Sequence, residues 1–324
     1  MKHTYILVDN VPGNSNQARR ISEICKLNGK EVYLDYNLLG SVTNKISLGL
    51  LRLKGSSRND LSNLKPDTII SSGRRAAAIA LEIKNRTPNT KIIQIMNPEL
   101  PFHLFDLILL PRHDIKDHLL KHKNILWIDG AVSNPDIKKI ESEAELLRKE
   151  YDISHSTPIC SLIIGGSTGK KSITKDNIDE IMSLVSQYIE KTNSTLIVTT
   201  SRRTPHNIIN HLEYYTNNQP YRIILYKYSP NSLFNPYWGM IGASSAIIAT
   251  SDSISMCSEI ASCHKSLFLY GTHSMLKPKH QRFMNSLIER GIAKDLRSGI
   301  RHYTPSQFNQ TEIIRSAVNT ILNK

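Results

Sequence analysis

The chain has 324 residues, enough for two domains of ordinary size, and its 40% hydrophobic content can supply a core to each. Its formal net charge is +13, and the excess is shared between both halves of the chain, so neither half is a basic tail. This composition excludes an intrinsically disordered chain. It favours an anionic partner, such as a nucleotide, a phosphorylated substrate or an anionic lipid.

Other partners and compartments are disfavoured by what the chain lacks. Aromatic residues make up only 6%, and no RNA-binding aromatic signature or zinc-finger spacing occurs, which argues against nucleic acid. No run approaches the roughly 18–20 apolar residues of a membrane-spanning helix, and the first apolar run is too short for an export signal. Cys25, Cys160, Cys257 and Cys263 form no CxxC pair, which is typical of reduced, buried thiols. We therefore expect a cytoplasmic protein, with peripheral binding to the inner face of the membrane through charge as an option.

Apolar runs of strand length alternate with helix-like segments along the first half of the chain. The predicted strands are 5–8, 30–34, 68–71, 91–96, 107–110 and 125–128. The predicted helices are 17–27, 76–84 and 135–151, and an amphipathic, cationic segment with helical spacing covers 37–58. This alternation is typical of a parallel, doubly wound sheet.

The same rhythm restarts after the weak segment 152–158, so the predicted domains are 1–152 and 153–324. The later predicted strands are 159–164, 195–200, 221–225, 246–250 and 266–270. Helices are predicted after 201–205 and after Ser253, and over 177–191, 279–290 and 311–322. The sequence thus predicts an α/β protein of two Rossmann-like domains.

Polar residues follow most of these strands, where open parallel sheets bind their ligands. Gly165 and Gly166 open the segment GGSTGKKS and permit close approach of the backbone to a ligand. This segment lacks the glycine spacing and the Lys-Ser/Thr pair of a nucleoside-triphosphatase loop, so a plain turn is an alternative.

Two Arg-Arg pairs occupy matching places in the two halves. Thr200, Ser201, Arg202 and Arg203 precede a predicted helix start, where guanidinium groups would meet a phosphate. The segment Ser72-Gly73-Arg74-Arg75 repeats the arrangement after an earlier strand. A solvated basic helix start is the alternative for each.

The segment AIIATSDSISMCSEIA combines a strand, a cap and a helix. Ser251, Asp252 and Ser253 suit the N-terminus of a helix, where free N–H groups and the dipole favour an anion. Ser255 follows in the first turn, and Glu259, a turn later, could hydrogen-bond a sugar hydroxyl. An ordinary capped helix is the alternative.

Candidates for proton transfer are fewer. His113 and Asp114 are neighbours at a strand end, where a histidine suits general-base catalysis, and Asp9 at the first strand end is a second candidate. A structural or exposed histidine is the alternative. The sequence contains no Asp-x-Asp metal motif and no His/Cys cluster with ligand spacing, so no metal is expected.

Several motifs, taken in order, resemble a known family. They are Asp9 with PGNSNQ, then SSGRR, QIMNP, FDLILLPRHD, LIIGG, VTTSRRTP, NPYWG and ATSDSISMCSE. This order resembles the family named for the plant "elongated mitochondria" fission protein, whose bacterial members are similar to GT-B-type glycosyltransferases. The match runs from Asp9 to about Gly271, and TTSRRTP and TSDSISMCSE are its most specific parts.

The resemblance implies two Rossmann-like domains that face each other across a cleft, with the last helix packing back on the first domain. The second domain would hold the sugar nucleotide, with Glu259 on the ribose. The diphosphate would be surrounded by Gly165, Gly166, Arg202, Arg203, Ser253 and Ser255. Acceptor or cleft residues would be Gly13, Asn14, Asn16, Gln17, Ser72, Gly73, Arg74, Arg75, Asn235 and Tyr237. Two positions depart from the family pattern: Arg112 replaces an expected acidic residue, and Leu233-Phe234 replace Gly-Glu.

We therefore expect a glycosyltransferase that moves a sugar from a nucleotide-diphosphate donor to a cell-envelope saccharide or lipid-linked acceptor. It would need no metal, and the nucleotide sugar is a co-substrate rather than a cofactor. The alternative is a non-catalytic, membrane-associated adaptor that uses the basic segment 45–58 to bind an anionic membrane surface.

Overall fold

The computed structural model describes residues 3–41, 44 and 49–323 of the chain. It divides into two compact units, one formed by Met1–Asn134 with Asn309–Lys324 and the other by Pro135–Phe308. We call these the first unit and the second unit. Each unit contains one six-stranded parallel sheet with helices around it.

The first unit begins with a strand and alternates strands with helices. Its elements before residue 135 are β1 (Thr4–Val8), α1 (Pro12–Ile24), β2 (Lys30–Tyr33), α2 (Gly55–Ser62), β3 (Thr68–Ser72), α3 (Gly73–Arg86), β4 (Lys91–Ile95), β5 (Leu107–Pro111) and β6 (Ile125–Ile128). The strand order is β2-β1-β3-β4-β5-β6. Neighbouring residues such as Ile69 and Ile70 point to opposite faces of β3 and enter two separate hydrophobic clusters, so both faces of the sheet are covered.

The second unit repeats this architecture with a different connection order. Its elements are α4 (Ile137–Glu150), β7 (Ile159–Ile163), α5 (Lys175–Thr192), β8 (Thr195–Thr199), α6 (His206–Asn217), β9 (Ile223–Tyr226), α7 (Tyr237–Ala243), β10 (Ala246–Thr250), α8 (Ile254–Ser262), β11 (Leu267–Tyr270), α9 (Pro278–Glu289) and β12 (Lys294–Asp295). The strand order is β12-β11-β10-β7-β8-β9, with every neighbouring pair parallel. One continuous hydrophobic core holds the unit together.

The last helix, α10 (Thr311–Leu322), belongs to the first unit. Its buried residues Ile314 and Val318 join the same hydrophobic cluster as residues of α1 and β4. The unit boundary at 134/135 also precedes α4, whereas the sequence placed the division at 152. The reason is that α4 packs closely on α7: a Cβ at Gly239 would lie 2.5 Å from the Glu143 carbonyl oxygen of α4.

Several local expectations differ from the structure. The turn-rich segment before residue 17 is the start of α1, because Pro12 suits the first position of a helix. Segment 37–58 is not one helix: among its described residues it forms two 3-10 turns, Leu38–Ser41 and Gly49–Arg52, before α2. Residues 45–48 of the predicted basic segment lie outside the described residues, and Arg52 is fully buried.

Two further expectations concern thiols and the membrane. All four cysteines are free, but only Cys160 and Cys257 are buried, whereas Cys25 and Cys263 are partly exposed. Over residues 3–41, 44 and 49–323, no helix is long and apolar enough to cross a membrane.

Candidate functional site

In the second unit, the polar residues that follow strands β7, β8 and β10 lie at one edge of the sheet. β7 is the first strand of its sheet, and the chain adds β8 and β9 on one side and β10 to β12 on the other. The order therefore reverses between β7 and β10, and such a switch point opens a crevice beyond the carboxyl ends of the strands. The residues that follow β7, β8 and β10 meet there.

The glycine pair after β7 is required by close packing. The Gly165 N–H donates to Thr250 Oγ1 at 2.7 Å, and the Gly166 N–H donates to Asp252 Oδ2 at 2.9 Å. A Cβ on Gly165 would overlap the Asp252 carboxylate, and one on Gly166 would overlap the Arg203 carbonyl group. Both glycines thus allow the loop to touch protein atoms, which a larger side chain would prevent.

Asp252, which follows β10, binds residues of the loops after β7 and β8. Its carboxylate, 1% exposed, also accepts hydrogen bonds from Thr250 Oγ1 at 2.7 Å and from Arg203 Nη2 at 3.0 Å. Burial raises the pKa of Asp252, while the donors from Gly166, Thr250 and Arg203 oppose the rise. The carboxylate is satisfied by the protein, so its role is to fix the loops after β7 and β8.

The two arginines after β8 have different surroundings. Arg203 is held by Asp252 and also donates to the Ser167 carbonyl oxygen at 3.2 Å and to Thr168 Oγ1 at 2.9 Å. Arg202 is exposed and makes no hydrogen bond or ion pair with any described residue. Arg202 is therefore the arginine of this pair that is available to an anion.

The Thr200 and Ser201 side chains hydrogen-bond backbone N–H groups of nearby loops. Thr200 Oγ1 accepts from the Tyr228 N–H at 3.0 Å, and Ser201 Oγ accepts from the Arg203 N–H at 3.3 Å. Thr204, which the sequence analysis did not single out, receives the Ser201 N–H at 2.8 Å and donates to the Gly165 carbonyl oxygen. Its place in SRRTP, at the entry to a helix, was the available signal.

The N-terminus of α8 faces the same edge. Ser253 is the N-cap and accepts from the Met256 N–H at 3.5 Å, and Ser255 lies partly exposed in the first turn. Ser251 is fully buried, and its Oγ has no hydrogen-bond partner among the described residues. A helix N-terminus next to an exposed arginine suits a phosphate group.

Glu259 is held by a residue from another helix. Tyr237, the first residue of α7, donates its hydroxyl to Glu259 Oε2 at 2.8 Å. Burial, and secondly the charge of Glu259, raises the pKa of Tyr237 well above its ordinary value of 10, so the phenol keeps its proton and remains the donor. Asn235, two residues before α7 begins, accepts from the Tyr237 N–H at 3.1 Å. Of these two residues, both expected on the acceptor side, Tyr237 contacts Glu259 and Asn235 contacts the backbone of Tyr237.

The first unit has a switch point of its own. Its sheet order reverses between β1 and β3. Asp9, at the end of β1, accepts from the Val11 N–H through Oδ1 and from Arg75 Nη2 through Oδ2, each at 2.9 Å, and its side chain is 2% exposed. Arg75 also lies 4.5 Å from the centre of the Tyr36 ring. In both units, then, the second arginine of the pair binds a buried aspartate.

The other predicted acceptor residues surround this edge in different ways. Gly73 has φ +77°, and a Cβ there would lie 2.8 Å from Asn14 Nδ2, so the starts of α1 and α3 touch. Gln17 is buried and bonds the Gly13 carbonyl oxygen and the Val132 N–H. The remaining members are Gly13 and Asn16, both exposed, Ser72, which is buried, and Arg74, which lies 3.8 Å from Glu99.

His113 and Asp114 form a separate pair after β5. His113 Nε2 lies 3.9 Å from Asp114 Oδ2, too far for a hydrogen bond, and His113 is buried. β5 is the third strand from β1 in the sheet order, a displacement of about 14 Å at the usual strand spacing. His113 and Asp9 therefore do not form one constellation. Within the described part of the chain, no group of three or more His, Cys, Asp or Glu residues could hold a metal ion.

The family assignment rests on almost the whole chain. A sequence model described as "Mitochondrial fission ELM1" matches residues 12–322. The chain belongs to this family. An uncharacterized protein of Rickettsia prowazekii is 29% identical over 98% of both chains, and the mitochondrial fission protein ELM1 of Arabidopsis thaliana is 24% identical over 91% of this chain and 70% of its own. The predicted family is confirmed.

Solved structures with this fold include sugar-nucleotide enzymes. The UDP-GlcNAc 2-epimerase of Methanocaldococcus jannaschii gives a TM-score of 0.57 at 14% identity over 100% of this chain and 93% of that chain. The Neisseria meningitidis 2-epimerase bound to UDP-GlcNAc gives 0.52 at 13%, covering 100% and 92%. ADP-heptose lps heptosyltransferase II of E. coli gives 0.51 at 12%, covering 100% and 99%. At these identities the likeness shows the fold, so the predicted class of two Rossmann-like units of the GT-B type is confirmed.

Proposed function

We propose that the chain is a glycosyltransferase whose second unit binds a nucleotide-diphosphate sugar and whose first unit binds the acceptor. The observation that carries this proposal is the convergence of three features at the β7/β10 switch point. They are the exposed Arg202, the N-terminus of α8 and the Glu259 carboxylate held by Tyr237. A sugar nucleotide offers a partner to each, because it joins a diphosphate to a ribose.

The chemistry would proceed without a metal ion. Transfer breaks the bond between the sugar and the diphosphate, and negative charge develops on the departing oxygen. Arg202 and the N–H groups at the start of α8 would stabilise that charge. The acceptor hydroxyl would lose its proton to Asp9 or His113, and we propose a cell-envelope saccharide or lipid-linked saccharide as the acceptor.

Thermal shift with nucleoside diphosphates tests the binding step. We expect one of the uridine, cytidine, guanosine or adenosine diphosphates to raise the melting temperature, since a ligand at 100 times its Kd stabilises a protein by about 2.7 kcal/mol. Arg202→Ala and Glu259→Ala should each weaken binding about tenfold, the usual effect of losing a charge-assisted hydrogen bond. Lys191→Ala is the control, because Lys191 is exposed near the end of α5, at the opposite edge of the sheet.

Two outcomes of the thermal-shift measurement would contradict the proposal. The proposed nucleotide site would be wrong if none of the four diphosphates raised the melting temperature. It would also be wrong if Arg202→Ala and Glu259→Ala left that rise unchanged. Transfer itself is then measured as release of nucleoside diphosphate from a nucleotide sugar in the presence of acceptor.

The family match also favours a second candidate function, that of a non-catalytic adaptor at a membrane surface. The Arabidopsis relative is a mitochondrial fission protein. The basic segment expected to bind the membrane keeps its exposed Lys54, but Arg52 is buried. Salt-sensitive binding to anionic vesicles, without any nucleotide shift, would favour the adaptor.

A further inference from the structure

We propose that the first unit carries an anion site of its own, at the carboxyl ends of β1 and β3, and that it takes a phosphate group of the acceptor. The anion site is independent of the nucleotide site in the second unit. Only the assignment of its ligand to the acceptor rests on the proposed function.

Two helix N-termini converge at this site. α1 has 13 residues and α3 has 14, and neither has a side-chain hydrogen bond from its N-cap residue. Their first turns touch, because a Cβ on Gly73 would lie 2.8 Å from Asn14 Nδ2. Each helix contributes the positive end of its dipole to the β1/β3 switch point. α3 adds the first-turn N–H groups that no N-cap side chain occupies, whereas in α1 Pro12 has no N–H and the Asn14 and Ser15 N–H groups bond the Val11 carbonyl oxygen.

A buried hydroxyl at the same place has no partner in the protein. Ser72 is the N-cap residue of α3 and is only 2% exposed, yet its Oγ makes no hydrogen bond to any described residue. A serine at this position ordinarily bonds the N–H groups of the first turn, and a buried polar group without a partner is costly. An anion at the start of α3 would accept from this hydroxyl and from the N–H groups that it leaves uncapped.

The side-chain charges around the site are mainly positive. Arg74, near the start of α3, lies 3.8 Å from the half-exposed Glu99. Arg52 is buried nearby, and its pKa is lowered by burial and by the positive charge of Arg74. The Asp9 carboxylate is already bound by Arg75 and the Val11 N–H, so its charge is largely offset. A phosphate, with several acceptor oxygens and up to two charges, suits these donors.

The test titrates the full chain with inorganic phosphate by calorimetry. Ser72→Ala removes the hydroxyl, and Arg74→Gln removes the charge at the start of α3. We expect each to weaken phosphate binding about tenfold, as for the loss of a hydrogen bond to a charged group. Arg86→Gln makes the same charge change at the opposite end of α3 and should leave binding unchanged.

Ser72→Ala also separates binding from folding. Without phosphate its melting temperature should not fall, because the hydroxyl has no bond to lose. A merely structural hydroxyl would lower the melting temperature and leave the phosphate affinity unchanged. The proposal is overturned if the wild type does not bind phosphate, or if Ser72→Ala and Arg74→Gln bind it as the wild type does.

Two further probes distinguish the source of the phosphate. One is glucose 1-phosphate in solution, and the other is phosphatidylcholine vesicles with and without phosphatidic acid. The probe that binds the wild type and is lost in Arg74→Gln identifies the source, whereas binding of neither overturns the acceptor assignment. The nucleoside diphosphate shift, measured on the same samples, reports separately on the second unit. Its absence with phosphate binding intact would overturn the proposed function, and with it the assignment of the phosphate to an acceptor, but would leave the anion site of the first unit standing.

Discussion

At the scale of single residues, the two arginines of each Arg-Arg pair differ in the same way: the second binds a buried aspartate, and the first is more exposed. Arg203 and Arg75 bind aspartates whose side chains are 1% and 2% exposed, and thereby fix the loops at the two switch points. The first arginine of each pair is the more exposed one. The physical reason is that a buried carboxylate is costly unless it is paired, so the second arginine of each pair is drawn inward to the aspartate while the first stays nearer the surface.

Tyr237→Phe tests whether the phenol positions Glu259 for the ribose. We expect the nucleoside diphosphate to bind about fivefold more weakly, because loss of one hydrogen bond costs about 1 kcal/mol. Its 2′,3′-dideoxy analogue should bind both proteins equally, since it cannot use the carboxylate. Tyr221→Phe, which removes a hydroxyl bonded to Ser186 elsewhere in the second unit, is the control. Equal weakening of both nucleotides would show that Tyr237 acts on folding rather than on ribose recognition.

At the scale of elements, α7 supplies the tyrosine, and α4 fixes α7. Two glycines on α7 allow the contact: Cβ atoms at Gly239 and Gly242 would lie 2.5 and 2.6 Å from carbonyl oxygens of α4. Such a close approach leaves no room for a methyl group. This packing also explains why α4 belongs to the second unit.

Gly239→Ala should therefore destabilise the protein by about 1–3 kcal/mol, the usual cost of overpacking, even though alanine is the better helix former. Gly55→Ala is the matched control, because Gly55 begins α2 and, apart from its chain neighbours and its own helix backbone, no atom of the described residues lies within 4 Å of its added Cβ. It should be neutral or slightly stabilising. Chemical denaturation measures both, and an equal effect at the two positions would contradict the close contact between α4 and α7.

At the scale of the whole molecule, the end of the chain completes the first unit. The Gln310 side chain bonds both the N–H and the carbonyl oxygen of Asp129, at 2.5 and 2.7 Å. Arg315 Nε donates to the Ile24 carbonyl oxygen at 3.0 Å. The first unit therefore cannot complete its core until residues after 309 have been synthesised.

Adjacent isoleucines on α10 provide the test. Ile314 is 1% exposed and Ile313 is 59% exposed. Ile314→Ala should cost about 2–5 kcal/mol of stability, and hydrogen exchange should accelerate in the first unit more than in the second. Ile313→Ala should change stability by less than about 0.5 kcal/mol. Uniform loss of protection in both units would show that they unfold as one cooperative body.

The α/β class, most strand positions and the polar residues that follow the strands could be predicted from the amino-acid sequence. The reason is that buried parallel strands are short continuous apolar runs, and polar residues follow them at the ligand-binding edge. The lengths of α9 and α10 were also predictable, because their apolar residues recur at helical spacing. The starts of α1 and α3 were harder to predict, because the first residues of α1 are typical of a turn and α3 begins at a glycine of positive φ.

The contacts of each polar residue, by contrast, depend on the folded structure. Sequence could place Asp252 and Arg203 near a phosphate, but only the approach of the loops after β7, β8 and β10 makes them bind each other. Folding also brings the Tyr237 hydroxyl to the Glu259 carboxylate and buries the Arg52 side chain. These contacts join residues far apart in the chain, and their free energy depends on burial and distance, which no local pattern encodes.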